Sequence, residues 1–437
     1  MSKKITIFWF RRDLRLHDNA GLYYALKENA VVLPLFIFDT TILNLLPRTD
    51  KRVIFIHSKI QLLKQALQKK GSDLLVEQGA PEDIFKNIFS KYQVKNIYLN
   101  HDYEPNAIQR DSQIIRLARA HDVEVKSFKD QCLFEKNEVV SESRKSYTVF
   151  TPYKKKWLSL INDFYLKSYP NDLYEINYFK SKIKTDFIEL NQLGFESAIP
   201  NYPQLKLSSK MLAQYAKNRD FPYLKNATSL LGIHLRFGTV SIREVVREAK
   251  KYSDVWLSEI IWRDFFMQIL WHYPHVQHES FRSQYEKVAW RKNPAEFSLW
   301  CSGNTGYPLV DAGMRELNET GHMHNRARMV TASFLTKHLL MHWSLGEKYF
   351  AEKLLDYDLS ANNGNWQWAA GTGCDAAPYF RIFNPETQLK RFDPNLEYVK
   401  KWVPEIETKD YPKPIVDHKF ARERALAAFK LALKEEQ

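Results

Sequence analysis

Short apolar segments alternate with helical patterns through the first 130 residues, and this alternation constrains the fold more than any other feature. Each apolar segment has the length of a strand, and the segments between them repeat their apolar residues at a helical period. Strands and helices that alternate in this way predict the α/β class, with a parallel, doubly wound sheet. The predicted strands are Ile5–Phe10, Val31–Phe38, Asp73–Glu77, Asn96–Asn100 and Asp122–Phe128, with helices at about 20–28, 51–70, 81–92 and 106–121.

The patterns along the whole chain divide it into three predicted parts. No Gly-x-Gly-x-x-Gly sequence follows the first strand, so the α/β domain of residues 1–130 lacks the usual dinucleotide-binding fingerprint. Residues 131–204 lose the alternation, carry Lys-rich segments and scattered prolines, and predict an interdomain connection across the surface. Residues 205–437 show caps and helical periods almost throughout, which predicts an all-helical domain.

Composition narrows the class of protein. The 437 residues exceed one ordinary domain, and the three cysteines, Cys132, Cys301 and Cys374, have no paired spacing. This argues against a disulfide framework or a zinc site and favours a reducing cytosol. Because no signal peptide or long apolar run is present, we expect a soluble, cytoplasmic protein that does not bind membranes. The net charge of +13 indicates either a polyanionic partner or a solvated basic surface.

A polar cluster from Asp356 to Trp368 follows the apolar run from Leu339 to Leu354. The roughly helical spacing of that run predicts a buried helix that ends where the cluster begins. Within the cluster, residues 362–364 (Asn-Asn-Gly) predict a sharp change of backbone direction. A helix cap followed by two core tryptophans would explain any one of these residues. The combination of two acids, three asparagines and two tryptophans instead favours a binding site.

One predicted helix places Trp256, Glu259, Trp262 and Arg263 on a single face. Solvated faces rarely carry two tryptophans, and buried faces rarely carry a glutamate and an arginine. We therefore expect this face to form the wall of a ligand site, with an amphipathic surface helix as the alternative.

Two further segments could bind anions. On the helix that follows His322, Asn325, Arg328 and Met329 share a face, and its basic N-terminus could simply be a phosphate-facing patch. Hydroxyls and backbone amides in the segment 228–232 could hold phosphate oxygens or cap a helix.

Together with other motifs, these segments resemble the photolyase/cryptochrome flavoprotein family over nearly the whole chain, and most of all its class I cyclobutane pyrimidine dimer photolyases. The matching segments are Phe10–Asn19, Phe150–Tyr153, Trp262–Phe265, Gly303–Pro308, His324–Arg326, Asn362–Trp368 and Asp375–Pro385. The resemblance implies an α/β antenna domain, a helical domain that binds FAD and DNA, and light-driven repair by reduced FAD. It also implies UV-damaged DNA as the partner and a monomer.

The resemblance also implies roles for individual residues. The residues implied to bind FAD are Tyr215, Thr228, Ser229, Leu230, Leu231, Gly232, Trp256, Arg263, Arg328, Asp356, Tyr357, Asp358 and Asn362. Among them, Arg328 and Asp356 would pair beside the isoalloxazine ring, and Asn362 would lie at flavin N5. An electron-transfer chain would run through Trp366, Trp343 and Trp290. The residues implied to contact the flipped dimer or the DNA are Glu259, Trp262, Asn325, Arg326, Met329, Trp368, Arg381 and Gln388, with Glu259 in a catalytic role.

Three alternatives share some of these features. A cryptochrome photoreceptor would have the same fold and FAD but would signal through a partner. A basic DNA-binding protein with a vestigial flavin site would show no flavin absorption. Repair of six-four photoproducts is disfavoured, because that group carries a histidine pair where this chain has His324 and Asn325.

The chain departs from the family pattern at several positions. His322 replaces a tryptophan, and Leu230, Gly232 and Ile233 interrupt the usual Thr-Ser-Arg-Leu-Ser-Pro sequence. At the folate antenna site of the family, Ala107 replaces a glutamate and Gln277 replaces a lysine. We therefore expect no bound methenyltetrahydrofolate, and a deazaflavin, another pigment or an empty site remain open.

Overall fold

In the computed structural model, the described residues are 4–180, 186–196, 202, 204–205 and 207–434. The chain forms two compact units, each built from separate segments. The first, the sheet unit, comprises Met1–Glu135, Leu160–Tyr202 and Gly232–Glu248. The second, the helical unit, comprises Lys136–Ser159, Pro203–Leu231 and Ala249–Gln437. This division differs from the predicted boundaries at 130 and 205, because the predicted connection is shared between the units and a segment of the predicted helical domain joins the sheet unit.

The sheet unit contains a five-stranded parallel sheet in the order β3-β2-β1-β4-β5. Its strands are β1 Ile5–Phe10, β2 Val32–Asp39, β3 Leu75–Gly79, β4 Val94–Asn100 and β5 Glu124–Phe128. All five predicted strands are confirmed, with differences of one or two residues at their ends. The central strand β1 is fully buried, which explains its continuous apolar sequence.

Helices account for most of the remaining described residues. The α-helices are α1 Ala20–Glu28, α2 Thr40–Leu43, α3 Lys51–Lys69, α4 Pro81–Lys91, α5 Pro105–Ala120, α6 Phe150–Leu160, α7 Asp163–Leu166, α8 Ser209–Asn218, α9 Gly232–Arg236, α10 Ile242–Tyr252, α11 Asp254–His272, α12 Pro294–Ser302, α13 Pro308–Thr320, α14 Asn325–Ser333, α15 Trp343–Lys353, α16 Leu359–Ala370, α17 Pro385–Phe392, α18 Glu397–Trp402 and α19 His418–Lys434. Short 3-10 helices span Asn171–Asn177, Pro274–Gln277 and Ser283–Lys287, and a π-helical turn spans Phe334–His338.

Helices cover both faces of the sheet. On one face, Ile7 of β1 joins Phe85 of α4 and Ile114 of α5 in an apolar cluster. On the other face, α1 approaches so closely that a Cβ added to Gly21 would lie 3.0 Å from the ring of Phe8. The predicted doubly wound arrangement is therefore confirmed.

The helical unit is built around one large apolar cluster, and no strand occurs among its described residues. Side chains from six α-helices and the π-helical turn meet there, among them Trp300, Leu317, Phe334, Trp343 and Trp366. Aromatic residues of the helical unit therefore form a core as well as part of the candidate site.

The predicted helix from Leu339 to Leu354 is wrong in its first part, because α15 begins only at Trp343. The π-helical turn ends at His338, and Leu340 has a φ of 50°, in the left-handed region that ends helices. Leu339 and Leu340 are nevertheless buried. Their apolar character therefore matched a helical pattern that the backbone does not follow.

The predicted turn at Asn362, Asn363 and Gly364 is also wrong, because all three lie inside α16. The helix begins earlier, where Asp358 caps it by accepting a hydrogen bond from the amide of Ala361. Gly364 serves packing rather than turning, since an added Cβ would overlap the ring of Phe266.

None of the helices within the described ranges is long and apolar enough to cross a membrane.

Candidate functional site

Helix α11 carries the four residues predicted to form a wall. Ser253 caps the helix by accepting from the amide of Trp256 at 3.3 Å, which fixes where the wall begins. Trp256 is buried, whereas Glu259, Trp262 and Arg263 are half-buried. A helical face that is neither core nor fully solvated suits a ligand site.

Trp262 is held by stacking. Its ring lies 3.6 Å from the ring of Phe150, with an angle of 5° between the planes, and 5.4 Å from that of Phe266. Phe150 begins α6, and its amide donates to the Asp375 carboxylate at 3.0 Å. The Phe150–Tyr153 motif thus supports one face of Trp262. The sequence offered no sign of this, because the two rings are more than 100 residues apart.

Glu259 forms an ion pair with Arg219, at the end of α8, rather than with Arg263. The Arg219 guanidinium also lies 5.3 Å from the ring centre of Tyr215. Burial alone would lower the pKa of Arg219, but Glu259 and Tyr215 raise it above its ordinary value. Sequence reasoning missed Arg219, since nothing in its local sequence marks it.

Arg219 and Glu259 belong to a longer chain of charges. Asp220 lies 3.9 Å from the Arg219 guanidinium and 2.8 Å from that of Arg326. Arg326 also covers the ring of Phe392, 3.9 Å from its centre. The chain connects the predicted pocket acid to a predicted DNA-contacting arginine.

Arg328 and Asp356 form the predicted ion pair. One guanidinium nitrogen donates to both carboxylate oxygens at 3.1 and 3.0 Å, and the Arg328 Nε donates to the Met323 carbonyl at 2.8 Å. Burial would raise the pKa of Asp356, but Arg328 and then His322 lower it below its usual value. Burial and the Arg328 charge lower the pKa of His322, which favours the uncharged form of this replacement for the family tryptophan.

Asn362 is oriented by Glu347, a residue that sequence reasoning missed. Its Nδ2 donates to the Glu347 carbonyl at 3.0 Å and to the Glu347 carboxyl at 2.9 Å. Because these bonds use both amide hydrogens, Oδ1 is the atom left to meet a ligand. Burial raises the pKa of Glu347.

The predicted phosphate-binding segment divides at the unit boundary. Ser229 is buried and Thr228 is half-buried in the helical unit, whereas Gly232 begins α9 in the sheet unit. Leu230 has a φ of 54°, an uncommon conformation for a residue with a side chain. Two other predicted cofactor residues, Leu231 and Tyr357, are buried and half-buried respectively.

Within the described part of the chain, no direct ring contact joins any two of the three predicted electron-transfer tryptophans. Trp366 contacts Phe350, with 4.9 Å between ring centres. Its ring lies against α15 at Gly346, where an added Cβ would overlap it, one turn after Trp343. His342 lies between the other two, 5.3 Å from Trp343 and 5.5 Å from Trp290.

The remaining predicted DNA contacts lie on α14, α16 and α17 and in the segment between the last two. Asn325 is exposed, and its amide donates to the sulfur of Met329 at 3.7 Å. Trp368 and Gln388 are half-buried, and Arg381 is exposed. These residues are accessible to a large ligand.

Comparison with known proteins identifies the family. The family described as DNA photolyase matches residues 6–171, and that described as FAD binding domain of DNA photolyase matches residues 256–408. The deoxyribodipyrimidine photo-lyase of Salmonella typhimurium is 37% identical over 98% of this chain and 99% of that protein. The chain belongs to the DNA photolyase family. Its predicted family, fold class and FAD-binding domain are confirmed.

Solved photolyases share the architecture. A bacterial class III photolyase from Agrobacterium tumefaciens has a TM-score of 0.88 and 32% identity, with 99% of this chain and 98% of that chain covered. An archaeal photolyase from Sulfolobus tokodaii, solved with two FAD molecules, has a TM-score of 0.84 and 34% identity, with 98% and 100% covered.

Proposed function

We propose that this chain opens cyclobutane pyrimidine dimers in DNA with light, using reduced FAD bound in the helical unit. The observation that carries the proposal is the face of α11, where an acid and a stacked tryptophan lie within the residues that match the photolyase FAD-binding domain. Near full-length similarity to deoxyribodipyrimidine photo-lyases supports the same activity.

The side chains of the helical unit suit a flavin. The Arg328–Asp356 pair presents a guanidinium beside a carboxylate, and the Oδ1 atom of Asn362 offers an acceptor. Hydroxyls of Thr228 and Ser229 could bind phosphate oxygens. Reduced FAD, if bound here, would supply the electron that opens the dimer after light excitation and would take it back once the ring has opened.

A flipped dimer would meet complementary groups on α11, α14 and α16. Trp262 and Trp368 offer aromatic faces for the bases, and Met329 adds an adaptable apolar surface. Glu259 can accept hydrogen bonds from a base edge while Arg219 compensates its charge. A dimer is already poorly stacked, so moving it out of the duplex costs less than the few kcal/mol required for a normal base.

The test is a count of restored pyrimidines after chemically reduced protein and dimer-containing DNA are illuminated, with a dark sample as control. We expect restoration only in the light. Bound FAD without restored bases would favour a photoreceptor, and the absence of a flavin spectrum would contradict the cofactor assignment.

We further propose that the chain acts as a monomer in the cytoplasm, where its charge of +13 favours DNA binding. If about five phosphates are neutralised, log affinity should fall against log salt with a slope of about −4.5. A slope near zero would exclude backbone contacts as the main source of affinity.

A further inference from the structure

His342 lies between two of the tryptophans that resemble the family electron-transfer chain. Its ring makes an edge contact with Trp290 at an angle of 80° and a tilted contact with Trp343 at 32°. Since those two indoles do not touch each other in the described residues, the imidazole is the ring that connects them.

The cap of α15 favours an uncharged imidazole. Its Nδ1 accepts a hydrogen bond from the Ser344 amide at 3.2 Å and thereby caps α15. A protonated ring would carry a hydrogen on Nδ1 and could donate it to the Ser344 hydroxyl 2.7 Å away, but it would lose the amide cap and place a positive charge at a helix N-terminus. Burial also lowers the pKa of His342, opposed only in part by Glu286.

Three charged groups on neighbouring segments lie close to His342 or to the residues before it, namely Glu286, Arg291 and Arg424. Glu286 lies on the 3-10 helix 283–287. Arg291 and Arg424 donate to the backbone carbonyls of Leu339 and His338, which precede His342 in the chain. Phe429 of α19 contributes an aromatic contact to Trp290.

A positive charge on His342 would matter because an oxidised indole beside it is also positively charged and, among the described residues, has no hydrogen-bonded group to accept its N–H proton. Neither the Trp343 nor the Trp290 indole N–H, both buried, has a hydrogen-bond partner within the described chain. An indole that has given up an electron therefore keeps its positive charge. At 5.3 Å and an effective dielectric constant of about 20, a second positive charge disfavours that state by a factor on the order of a hundred.

We propose that His342 is a positioning residue of the electron route, whose uncharged ring connects Trp343 to Trp290 and keeps positive charge out of the gap between them. This inference rests on the electron-transfer chain through Trp366, Trp343 and Trp290 that the family resemblance implies. It identifies His342 as the group whose protonation sets the lowest pH at which photoreduction stays efficient.

Two variants separate the effect of the aromatic ring from the effect of its protonation. His342→Phe retains an aromatic ring that cannot be protonated, and His342→Asn retains a capping acceptor without the ring. Light-driven reduction of oxidised FAD oxidises a tryptophan, which an added one-electron donor restores. This reduction is followed for each variant, and for the wild type, across the range of about pH 5 to 8 in which histidine titrates. Histidine NMR of the wild type reports the protonation of His342 directly, and flavin absorbance reports cofactor content.

We expect the wild-type rate to fall toward acid pH, in step with the NMR titration, by about tenfold or more once the ring is charged. His342→Phe should lack that fall, and His342→Asn should be several-fold slower at every pH. Identical pH profiles for wild type and His342→Phe, or a wild-type rate in His342→Asn, would overturn the proposal. Trp366→Phe is the control for the route itself, since rapid photoreduction in that variant would show that the underlying tryptophan route is wrong.

Discussion

The ion pairs around Asp130 in the sheet unit are buried, whereas those around Glu259 at the candidate site of the helical unit are half-exposed. The Arg15 and Asp130 side chains are 3% and 1% exposed, while those of Arg219 and Glu259 are 20% and 34% exposed. A buried pair that loses one partner leaves an uncompensated charge, but a half-exposed partner can turn to water or to a ligand. The difference indicates that the first set stabilises the fold and the second is available for binding.

The largest effect should come from breaking the buried set. Asp130 accepts from Arg15, Arg243 and the amide of Ala20. Asp130→Ala should therefore lower the free energy of unfolding by about 3–5 kcal/mol, because two buried guanidinium groups lose the carboxylate that they share. Unfolding in urea, followed by circular dichroism, measures this loss.

The matched control is Asp220→Ala in the helical unit. Asp220 pairs with Arg326, and its side chain is 39% exposed, so the loss should stay below about 1 kcal/mol. If both variants lose the same free energy of unfolding, the buried ion pairs of the sheet unit and the half-exposed ones of the candidate site do not differ in their contribution to stability.

The buried ion pairs should also make the stability of the protein depend on pH in the acid range. Burial alone would raise the pKa of Asp130, but Arg15 and Arg243 lower it below its usual value. Its contribution is therefore present above the ordinary carboxyl range and is lost as pH falls through the lowered pKa. Asp130→Asn should flatten that part of the stability profile.

A further prediction concerns the aromatic interior of the helical unit. Trp366 is buried against Gly346 of α15, the helix that begins at Trp343. Trp366→Phe should slow light-driven reduction of oxidised FAD severely and leave repair by chemically pre-reduced protein near normal. Flavin absorbance during illumination measures the first rate, and undiminished photoreduction would refute this route.

The smallest effect concerns the antenna. Ala107 is buried in α5 and offers no carboxylate, and the Gln277 amide donates to the Pro274 carbonyl at 3.1 Å. Purified protein should therefore contain no methenyltetrahydrofolate, as judged by absorbance after the pigment is released. Stoichiometric folate would contradict this expectation.

Local sequence was informative where the signal lies within one element. The central strands β1 and β2 are buried on both faces, so their apolar runs were visible, and the face of α11 followed from helical spacing. The start of α15 could not be predicted, because Leu339 and Leu340 stay buried outside the helix.

Contacts between distant segments could not be predicted in the same way. Arg219 lies 40 residues from Glu259, and Phe150 stacks on Trp262 from a different helix. Only the fold brings these groups together, so their partners in the candidate site were missed even where the residues themselves were named.

The most direct test of the account is the number of dimers opened per absorbed photon by pre-reduced wild type and by Glu259→Ala. Glu259 lies beside Trp262 on α11 and is compensated by Arg219, so it is placed to contact a flipped base. We predict efficient repair by the wild type and a several-fold lower yield for the variant, with unchanged FAD content and unchanged binding to undamaged DNA. A variant that repairs with the wild-type yield would return Glu259 to a structural role, and a wild type that opens no dimers in the light would contradict the proposed function itself.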